Sequence, residues 1–240
     1  ARTFKEYNPE VIIAFGGGST MDIGKGLSIL MTNRVPALEL KGFPKNIKPP
    51  LPLITVPSIF GSGSEVSYNA VFIDENEDRK LGINSKSNFP KKTFVDPLLT
   101  MSAPWGAVLS SALDTLVHCV DSFGSQKGTP LSLIYSIKGF HSTLQFFVND
   151  NFADANSRLS LAYGSICGII ALMNSGDGPT NGFAYYFGVK ENIPHGLAGG
   201  IFLKEVMNLL TMTIVYKPYM NGMISYHLNM LLRLMDVLHF

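Results

Sequence analysis

The sequence predicts an α/β part built on a parallel sheet, followed by an all-helical part. Strand-like and helix-like segments alternate over residues 1–103, which is typical of strands joined by crossover helices. From about Pro104 onwards strand signals nearly vanish, and long segments carry apolar residues at helical spacing. We therefore divide the chain into an α/β domain at residues 1–103 and a helical domain at residues 104–240.

Three short apolar runs are the predicted strands of the first domain. Residues 11–15 are continuously apolar, which predicts a strand buried on both faces of a parallel sheet. A helix is predicted from Met21 to about Met31. Residues 51–56 and 68–73 predict the second and third strands, and a charged turn follows the third.

The second domain is predicted from five segments with apolar residues spaced as on one face of a helix. With 240 residues, 46% of them hydrophobic, the chain is long enough to form cores in both domains. The predicted helices cover residues 108–123, 132–147, 157–174, 200–210 and 220–238.

Composition excludes several classes of function. A net charge of +1 gives no electrostatic footprint for nucleic acid. No apolar stretch reaches the roughly 18 residues of a membrane span, and the first residues do not resemble a signal peptide. Cys119 and Cys167 lie far apart on apolar, helix-like segments, so we expect buried free thiols and a cytoplasmic protein.

The strongest local motif is a predicted strand, then Gly16-Gly17-Gly18-Ser19, then a helix that carries Asp22. Glycines let the backbone approach a phosphate closely, and the first turn of a helix offers free N–H groups and a positive dipole end. The motif therefore predicts a pyrophosphate site. The alternative is a glycine turn that only joins a strand to a helix.

A second glycine loop, residues 57–65, also follows a predicted strand. Its small hydroxyl residues, among them Ser58 and Ser62, could line a ribose or a nicotinamide. The alternative is a flexible loop without a ligand.

Two further patterns suggest metal ligands. Asp114 and His118 are four residues apart, so a helix places the carboxylate and the imidazole on one face. The alternative is an Asp–His pair that only stabilises the helix. His195 lies in a Pro-His-Gly turn before an apolar segment, where a lone histidine is more often structural than a ligand.

Taken in order, these motifs resemble the iron-containing alcohol dehydrogenase family over residues 8 to about 210. Residues 16–25 resemble its GGGSxxDxxK segment, and residues 57–65 resemble its second glycine loop. Asp114 with His118 and Pro194-His195-Gly196 resemble its metal motifs. Residues 95–100 resemble its D-P-x-L-T segment.

The resemblance implies a Rossmann-like, doubly wound nucleotide-binding domain followed by a helical domain, with the active site in the cleft between them. It also implies NAD or NADP, one divalent ion (iron or zinc), a small or polar alcohol or aldehyde as substrate, and possible homodimers or larger homo-oligomers. Further strands before residue 1 and further C-terminal residues are expected on the same ground.

The resemblance also implies a role for each matching residue. His118, His195 and Asp114 would bind the metal with Asn181, and Tyr185 would be catalytic. Positions 181 and 185 usually carry histidines, so an amide oxygen and a phenol replace two imidazoles here. The implied cofactor residues are Gly16, Gly17, Gly18, Ser19, Asp22, Ser58, Ser62 and Lys80.

Two other interpretations remain open at this point. Replacement of two histidines together is typical of a nucleotide-binding relative that has lost its metal and its redox activity. A cyclase of the dehydroquinate synthase type shares the general architecture, although the second glycine loop fits the alcohol dehydrogenase pattern better.

Overall fold

The structure is a computed structural model that describes residues 7–74, 77, 79–149 and 151–214. For Arg79 and for residues 211–214 it describes the backbone alone. The predicted helix at residues 220–238 lies outside the described residues.

The parallel sheet consists of β1 (Ile12–Gly16), β2 (Leu53–Pro57) and the short β5 (Lys92–Thr93), in the order β1-β2-β5. Helix α1 (Gly18–Asn33) follows β1 directly. It covers one face of the sheet, where a small core forms from Ile12, Ala14, Met21 and Leu53.

The other face of β1 differs from the prediction. Ile13 and Phe15 are 64% and 59% exposed, whereas Ile12 and Ala14 are buried, so the side chains of β1 alternate between the two faces. The expectation of a strand buried on both faces is therefore wrong for the described residues. A continuous apolar run cannot distinguish a strand packed on both faces from one packed on a single face.

A hairpin, separate from the sheet, is formed by β3 (Asn69–Asp74) and β4 (Arg79–Asn84), which pair antiparallel. The third predicted strand is β3, but β4 was not predicted. Ala70 on β3 and Ile83 on β4 pack with Ile29 of α1 and with Leu40. This core fixes the hairpin against α1, so that β3 and β4 stand beside the sheet.

Over the described residues from 104 to 214, the helical part has five helices: α2 (Trp105–Gly124), α3 (Pro130–Val148), α4 (Ala155–Met173), α5 (Pro179–Lys190) and α6 (His195–Ile214). The first three confirm the helices predicted at residues 108–123, 132–147 and 157–174. Helix α6 contains the segment predicted at residues 200–210 but begins earlier, and α5 was not predicted.

Helix α2 is the centre of the largest hydrophobic core, to which α3, α4 and α6 also contribute. Both thiols are free and buried, as predicted: Cys119 lies on α2 and Cys167 on α4. Among the described residues, no helix combines the length and the apolar character needed to cross a bilayer.

Candidate functional site

A cavity of about 550 Å³ lies between the α/β part and the helices. We call it the cleft. On the helical side its lining includes every residue predicted as a metal ligand or as catalytic: Asp114, His118, Asn181, Tyr185 and His195. On the α/β side it includes five of the predicted cofactor residues: Gly18, Ser19, Asp22, Ser62 and Lys80.

The remaining predicted cofactor residues, Gly16, Gly17 and Ser58, are not among the residues that line the cleft and lie in the turns behind it. The N–H of Ser58 donates to the carbonyl of Gly16 over 2.8 Å, which joins the ends of β1 and β2. Gly16 has φ +154°, and a side chain there would collide with Thr20 at 2.5 Å. A residue without Cβ is therefore required at the turn into α1.

The N-terminus of α1 faces the cleft through Gly18 and Ser19. The cap position is Gly17, and within the described residues no side chain caps this end and no acidic residue occupies its first turn. Its first N–H groups therefore remain free for an anion, at the positive end of the helix dipole.

The two glycine loops touch each other and the helical part. A Cβ on Gly18 would stand 2.6 Å from Ser62 Oγ, and one on Gly63, which has φ +64°, would overlap Ile169 of α4. On α2, Thr115 Oγ1 donates to the carbonyl of Gly61 over 3.1 Å. The second glycine loop is thus packed against two helices, which argues against a freely flexible loop.

Lys25 is fully buried behind the cleft, where it joins α1 to the second glycine loop and to the residues that follow it. Its Nζ donates to Ser64 Oγ (2.7 Å), to Ser67 Oγ (3.1 Å) and to the carbonyl of Asn69 (2.7 Å). Burial lowers the pKa of Lys25 to about 8, and the nearby Asp22 carboxylate opposes the shift.

Asp22 is held by the same segment. Its Oδ1 accepts from Ser64 Oγ over 2.5 Å, and its Oδ2 accepts from the N–H of Val71 over 3.0 Å. Burial raises its pKa, while Lys25 and the two hydrogen bonds act in the opposite direction. Asp22 therefore lines the cleft as a carboxylate that is already bonded to the protein.

Glu65 is a buried acid that the sequence motifs did not single out. Its side chain is 1% exposed, and Oε1 has no hydrogen-bond partner within the part of the chain that the structure describes. Burial raises its pKa to about 7, against the opposing charge of Lys25.

The four predicted metal ligands, which we call the donor cluster, come from three helices. Asp114 and His118 lie one turn apart on α2, and Asp114 Oδ1 is 3.6 Å from His118 Nε2. The same oxygen is 3.7 Å from Nε2 of His195, the first residue of α6. Asn181 on α5 completes the cluster, with Oδ1 2.9 Å from His195 Nε2.

His195 can lie this close to α2 because a glycine follows it. A Cβ on Gly196 would overlap the backbone carbonyl of Ser110 and come within 3.0 Å of Asp114 Cβ. The backbones of α6 and α2 are therefore in contact at this point, and the Pro-His-Gly motif gains a structural explanation.

Asn181 is positioned by Asp121, three residues beyond His118 on α2. The Asp121 carboxylate accepts from the N–H of Thr180 over 3.2 Å and from that of Asn181 over 2.8 Å. These are N–H groups of the first turn of α5, so Asp121 caps this helix from a neighbouring helix. Asn181 Nδ2 also donates to Asp177 Oδ1 over 3.1 Å, which directs the amide oxygen towards His195.

Tyr185 stacks on His195, with 4.9 Å between ring centroids and 20° between planes. On the α/β side, Lys80 Nζ lies 5.1 Å from the centroid of the same tyrosine ring. Burial and the nearby carboxylates raise the pKa of Tyr185, so its phenol is protonated over the whole neutral range. It can donate a hydrogen bond to an oxygen in the cleft.

The donor cluster fits a divalent cation chemically, although it is not arranged as a finished site. Asp114 Oδ1 is buried without a hydrogen-bond partner among the described residues, and it faces two imidazoles. A carboxylate with two imidazoles suits zinc and iron, whereas an amide oxygen is a weaker donor. Within the described ranges, no three His, Cys, Asp or Glu side chains are already grouped as a metal site, consistent with the separations of 3.6–3.7 Å.

Comparison with known families gives two matches that together span most of the chain. Residues 1–97 match the family model "Iron-containing alcohol dehydrogenase". Residues 108–225 match the model "Fe-containing alcohol dehydrogenase family, C-terminal". Both are alcohol dehydrogenase models, which favours that interpretation over a cyclase.

Individual relatives agree with these models. The chain is 30% identical over 206 residues to the probable alcohol dehydrogenase EutG of Escherichia coli, covering 85% of this chain and 52% of the relative. It is 28% identical over 204 residues to alcohol dehydrogenase 4 of Schizosaccharomyces pombe, covering 84% and 48%. The chain thus spans about half the length of the curated relatives that it matches.

Among solved structures, a crystal structure of an iron-containing alcohol dehydrogenase superposes with a TM-score of 0.88 at 24% identity. The match covers 99% of this chain and 64% of that one. At this identity the likeness concerns the fold, and it confirms the predicted Rossmann-like part followed by a helical domain.

Proposed function

This chain belongs to the iron-containing alcohol dehydrogenase family, and we propose that it transfers a hydride between a nicotinamide cofactor and a small or polar alcohol or aldehyde. One observation carries the proposal: a single cleft is walled by a free helix N-terminus on one side and by the donor cluster on the other. A dinucleotide and a substrate oxygen could therefore meet in it.

We assign the pyrophosphate of NAD or NADP to the N-terminus of α1, because its uncapped N–H groups face the cleft. Gly18 allows the close approach, since a side chain there would already meet Ser62. Ser62 lines the cleft beside Gly18, and Lys80 lines it beside Tyr185. We assign the nicotinamide ribose to the space between these two residues.

Asp114, His118 and His195 would hold one iron or zinc ion, with the amide oxygen of Asn181 as a weak fourth donor. When bound, such an ion lowers the pKa of an alcohol or polarises a carbonyl. The unpartnered Asp114 oxygen between the two imidazoles supports this assignment.

The residues around the reacting carbon orient the substrate. A bound nicotinamide would take the hydride from the alcohol carbon in the oxidative direction, and the hydroxyl proton would pass to solvent water. Because the pKa of Tyr185 is raised, this residue would donate a hydrogen bond to the substrate oxygen in both directions. Its stacking on His195 fixes the position from which it donates.

Two measurements test the proposal together. Metal content per chain is measured by mass spectrometry after anaerobic reconstitution with iron or with zinc, and oxidation of NADH and NADPH is followed with acetaldehyde. We expect close to one ion per chain, lost in Asp114→Ala and in His195→Ala, which retain cofactor binding and lose turnover. Normal turnover in both variants would contradict the metal assignment.

A metal-free nucleotide-binding relative is the second candidate, and one contact favours it. Asn181 Oδ1 already accepts a hydrogen bond at His195 Nε2, the nitrogen nearest Asp114, so the cluster is partly satisfied by the protein itself. Cofactor binding without a bound ion, and without oxidation of either nicotinamide by any aldehyde, would establish this candidate instead.

A further inference from the structure

We propose that a second cavity beside the cleft binds the hydroxyl-bearing end of a substrate with four or more carbons. This cavity, of about 390 Å³, is lined by residues of the β3–β4 hairpin and of α5, and we call it the side pocket. Ligand sites commonly measure about 300–1,000 Å³, so it is large enough for several carbons. The inference rests on the proposed function, because it concerns the substrate of the same site.

The side pocket adjoins the reacting end of the cleft. Asn69, Lys80, Asp177 and Tyr185 line both cavities. Since Tyr185 stacks on His195 of the donor cluster, a substrate whose oxygen lies at that cluster would extend its remote carbons past the tyrosine into the side pocket.

The charges of the side pocket favour a neutral ligand. Among the described residues, its lining contains one cation, Lys80, and one carboxylate, Asp177, and the remaining polar side chains are amides and phenols. The two opposite charges leave no net charge to attract an anionic tail, and a wholly apolar tail would leave the polar side chains without partners. A chain with several hydroxyl groups can offer hydrogen-bond donors and acceptors to the charged, amide and phenol side chains of the lining.

Amide side chains in the lining support the choice of hydroxyl groups. Asn69 lines both cavities, so its amide lies where the cleft meets the side pocket. A hydroxyl group can both donate to an amide and accept from it, whereas a carboxylate can only accept. Asn84, also in the lining, offers both an amide donor and an amide acceptor for the next hydroxyl group.

Substrate preference is the first test, with three aldehydes of four carbons each. Erythrose carries hydroxyl groups on its remote carbons, butanal carries none, and succinic semialdehyde ends in a carboxylate. We expect kcat/KM for erythrose to exceed the other two at least about tenfold, because unpaired polar groups in a site reject analogues that lack their partners. A higher kcat/KM for butanal or for succinic semialdehyde would overturn the inference.

Gly182 allows the side pocket to be blocked directly. It lines the pocket on α5, and a Cβ there would meet nothing within 4 Å, so Gly182→Leu starts a new side chain in open space. We expect the ratio of kcat/KM for erythrose to that for acetaldehyde to fall at least about tenfold. Gly106→Leu is the matched control, because Gly106 on α2 is equally open and lies in neither cavity.

The control should retain the ratio of the original chain. An unchanged ratio in Gly182→Leu, or an equal fall in both variants, would overturn the inference.

A binding measurement separates failure of this inference from failure of the proposed function. Erythritol, which cannot be reduced, is titrated into the chain and into Gly182→Leu, and binding is followed by saturation-transfer NMR. We expect binding to the chain and its loss in the variant. Erythritol binding without any aldehyde turnover would remove the proposed function and keep the side pocket. Acetaldehyde turnover without erythritol binding, or with binding that survives in Gly182→Leu, would overturn the inference alone.

Discussion

One glycine on each wall of the cleft, Gly18 and Gly196, allows a close approach, and the two glycines face different groups. On the α/β wall, Gly18 faces the end of a serine side chain, Ser62 Oγ. On the helical wall, Gly196 faces the backbone carbonyl of Ser110. A side chain can rotate away from a new atom, whereas the backbone of a helix can move only if the helix moves.

The difference suits the two halves of the proposed chemistry. The α/β wall offers backbone N–H groups at the N-terminus of α1, where Gly18 and Ser19 line the cleft. The donor cluster requires side chains from α2, α5 and α6 at a fixed separation, and contact between backbones maintains that separation. We therefore expect the helical wall to be the more rigid one.

The largest effect is expected for Gly196→Ala. Its new Cβ would overlap the carbonyl of Ser110, which must separate α6 from α2. We expect the free energy of unfolding, measured in urea, to fall by about 3 kcal/mol, at the upper end of overpacking costs. The metal content should fall as well, because His195 moves with α6.

Gly106→Ala is the control for this substitution, since a Cβ there meets nothing within 4 Å. Alanine in place of glycine favours a helix, so this variant should be unchanged or more stable by up to about 1 kcal/mol. Equal stability of the two variants would show that α6 can move away from the carbonyl of Ser110 at little cost in free energy.

The next largest effect concerns the α/β wall and depends on pH. Burial raises the pKa of Glu65 from 4.5 to about 7, so the folded chain binds this proton more tightly than the unfolded chain. The contribution of Glu65 to stability is therefore fully present below pH 4.5 and is lost as the pH rises through 7. In Glu65→Gln this loss should disappear.

The measurement compares urea unfolding of the chain and of Glu65→Gln at pH 5 and pH 8. Relative to the variant, the chain should lose roughly 2 kcal/mol between these two values. Glu39→Gln, at an exposed position, should follow the chain instead. A parallel pH dependence in the chain and in Glu65→Gln would contradict the assignment.

Much of the fold could be predicted from the sequence where the signal is local. The glycine turn into α1 and the three long helices each carry their pattern within a short stretch. Helix α5 does not: its residues show almost no apolar face, and its start depends on the carboxylate of Asp121, far away in sequence. A helix capped by another helix cannot be recognised from its own segment.

The candidate site shows the same limit. The proposed ligands on α2 and in the Pro-His-Gly turn could be located from motifs, because both patterns are local. The buried bonds of Lys25 to Ser64 and Ser67 join positions about forty residues apart, and no spacing rule predicts such a pair. Glu65 belongs to the second glycine loop, but its burial depends on the packing of the fold and not on its local sequence.

A smaller effect should distinguish two helix caps. Asp121 caps α5 beside the donor cluster, and Asp154 caps α4 by accepting from the N–H groups of Asn156 and Ser157. Asp121→Ala and Asp154→Ala should each lower the free energy of unfolding by about 1 kcal/mol. Only Asp121→Ala should weaken zinc affinity, by about 10- to 100-fold, because it releases Asn181.

The two measurements are urea unfolding and competition with a zinc chelator. Equal zinc affinity in both variants would show that Asn181 is held in place without Asp121, or that it is not a ligand.

The smallest effect is expected on the α/β wall. Gly18→Ala brings a Cβ to 2.6 Å from Ser62 Oγ, and we expect the free energy of unfolding to change by less than about 1 kcal/mol, since the hydroxyl can rotate away. Ser62→Ala removes that hydroxyl, so the double variant should recover about 0.5 kcal/mol relative to the sum of the single changes.

The matched cycle on the helical wall combines Gly196→Ala with Ser110→Ala. Ser110→Ala should restore none of the free energy of unfolding that Gly196→Ala removes. The carbonyl that faces Gly196 belongs to the backbone and is still present in the variant. If Ser110→Ala restored free energy of unfolding, the contact at Gly196 would be as adaptable as the contact between Gly18 and Ser62. The proposed difference between the two walls would then be wrong.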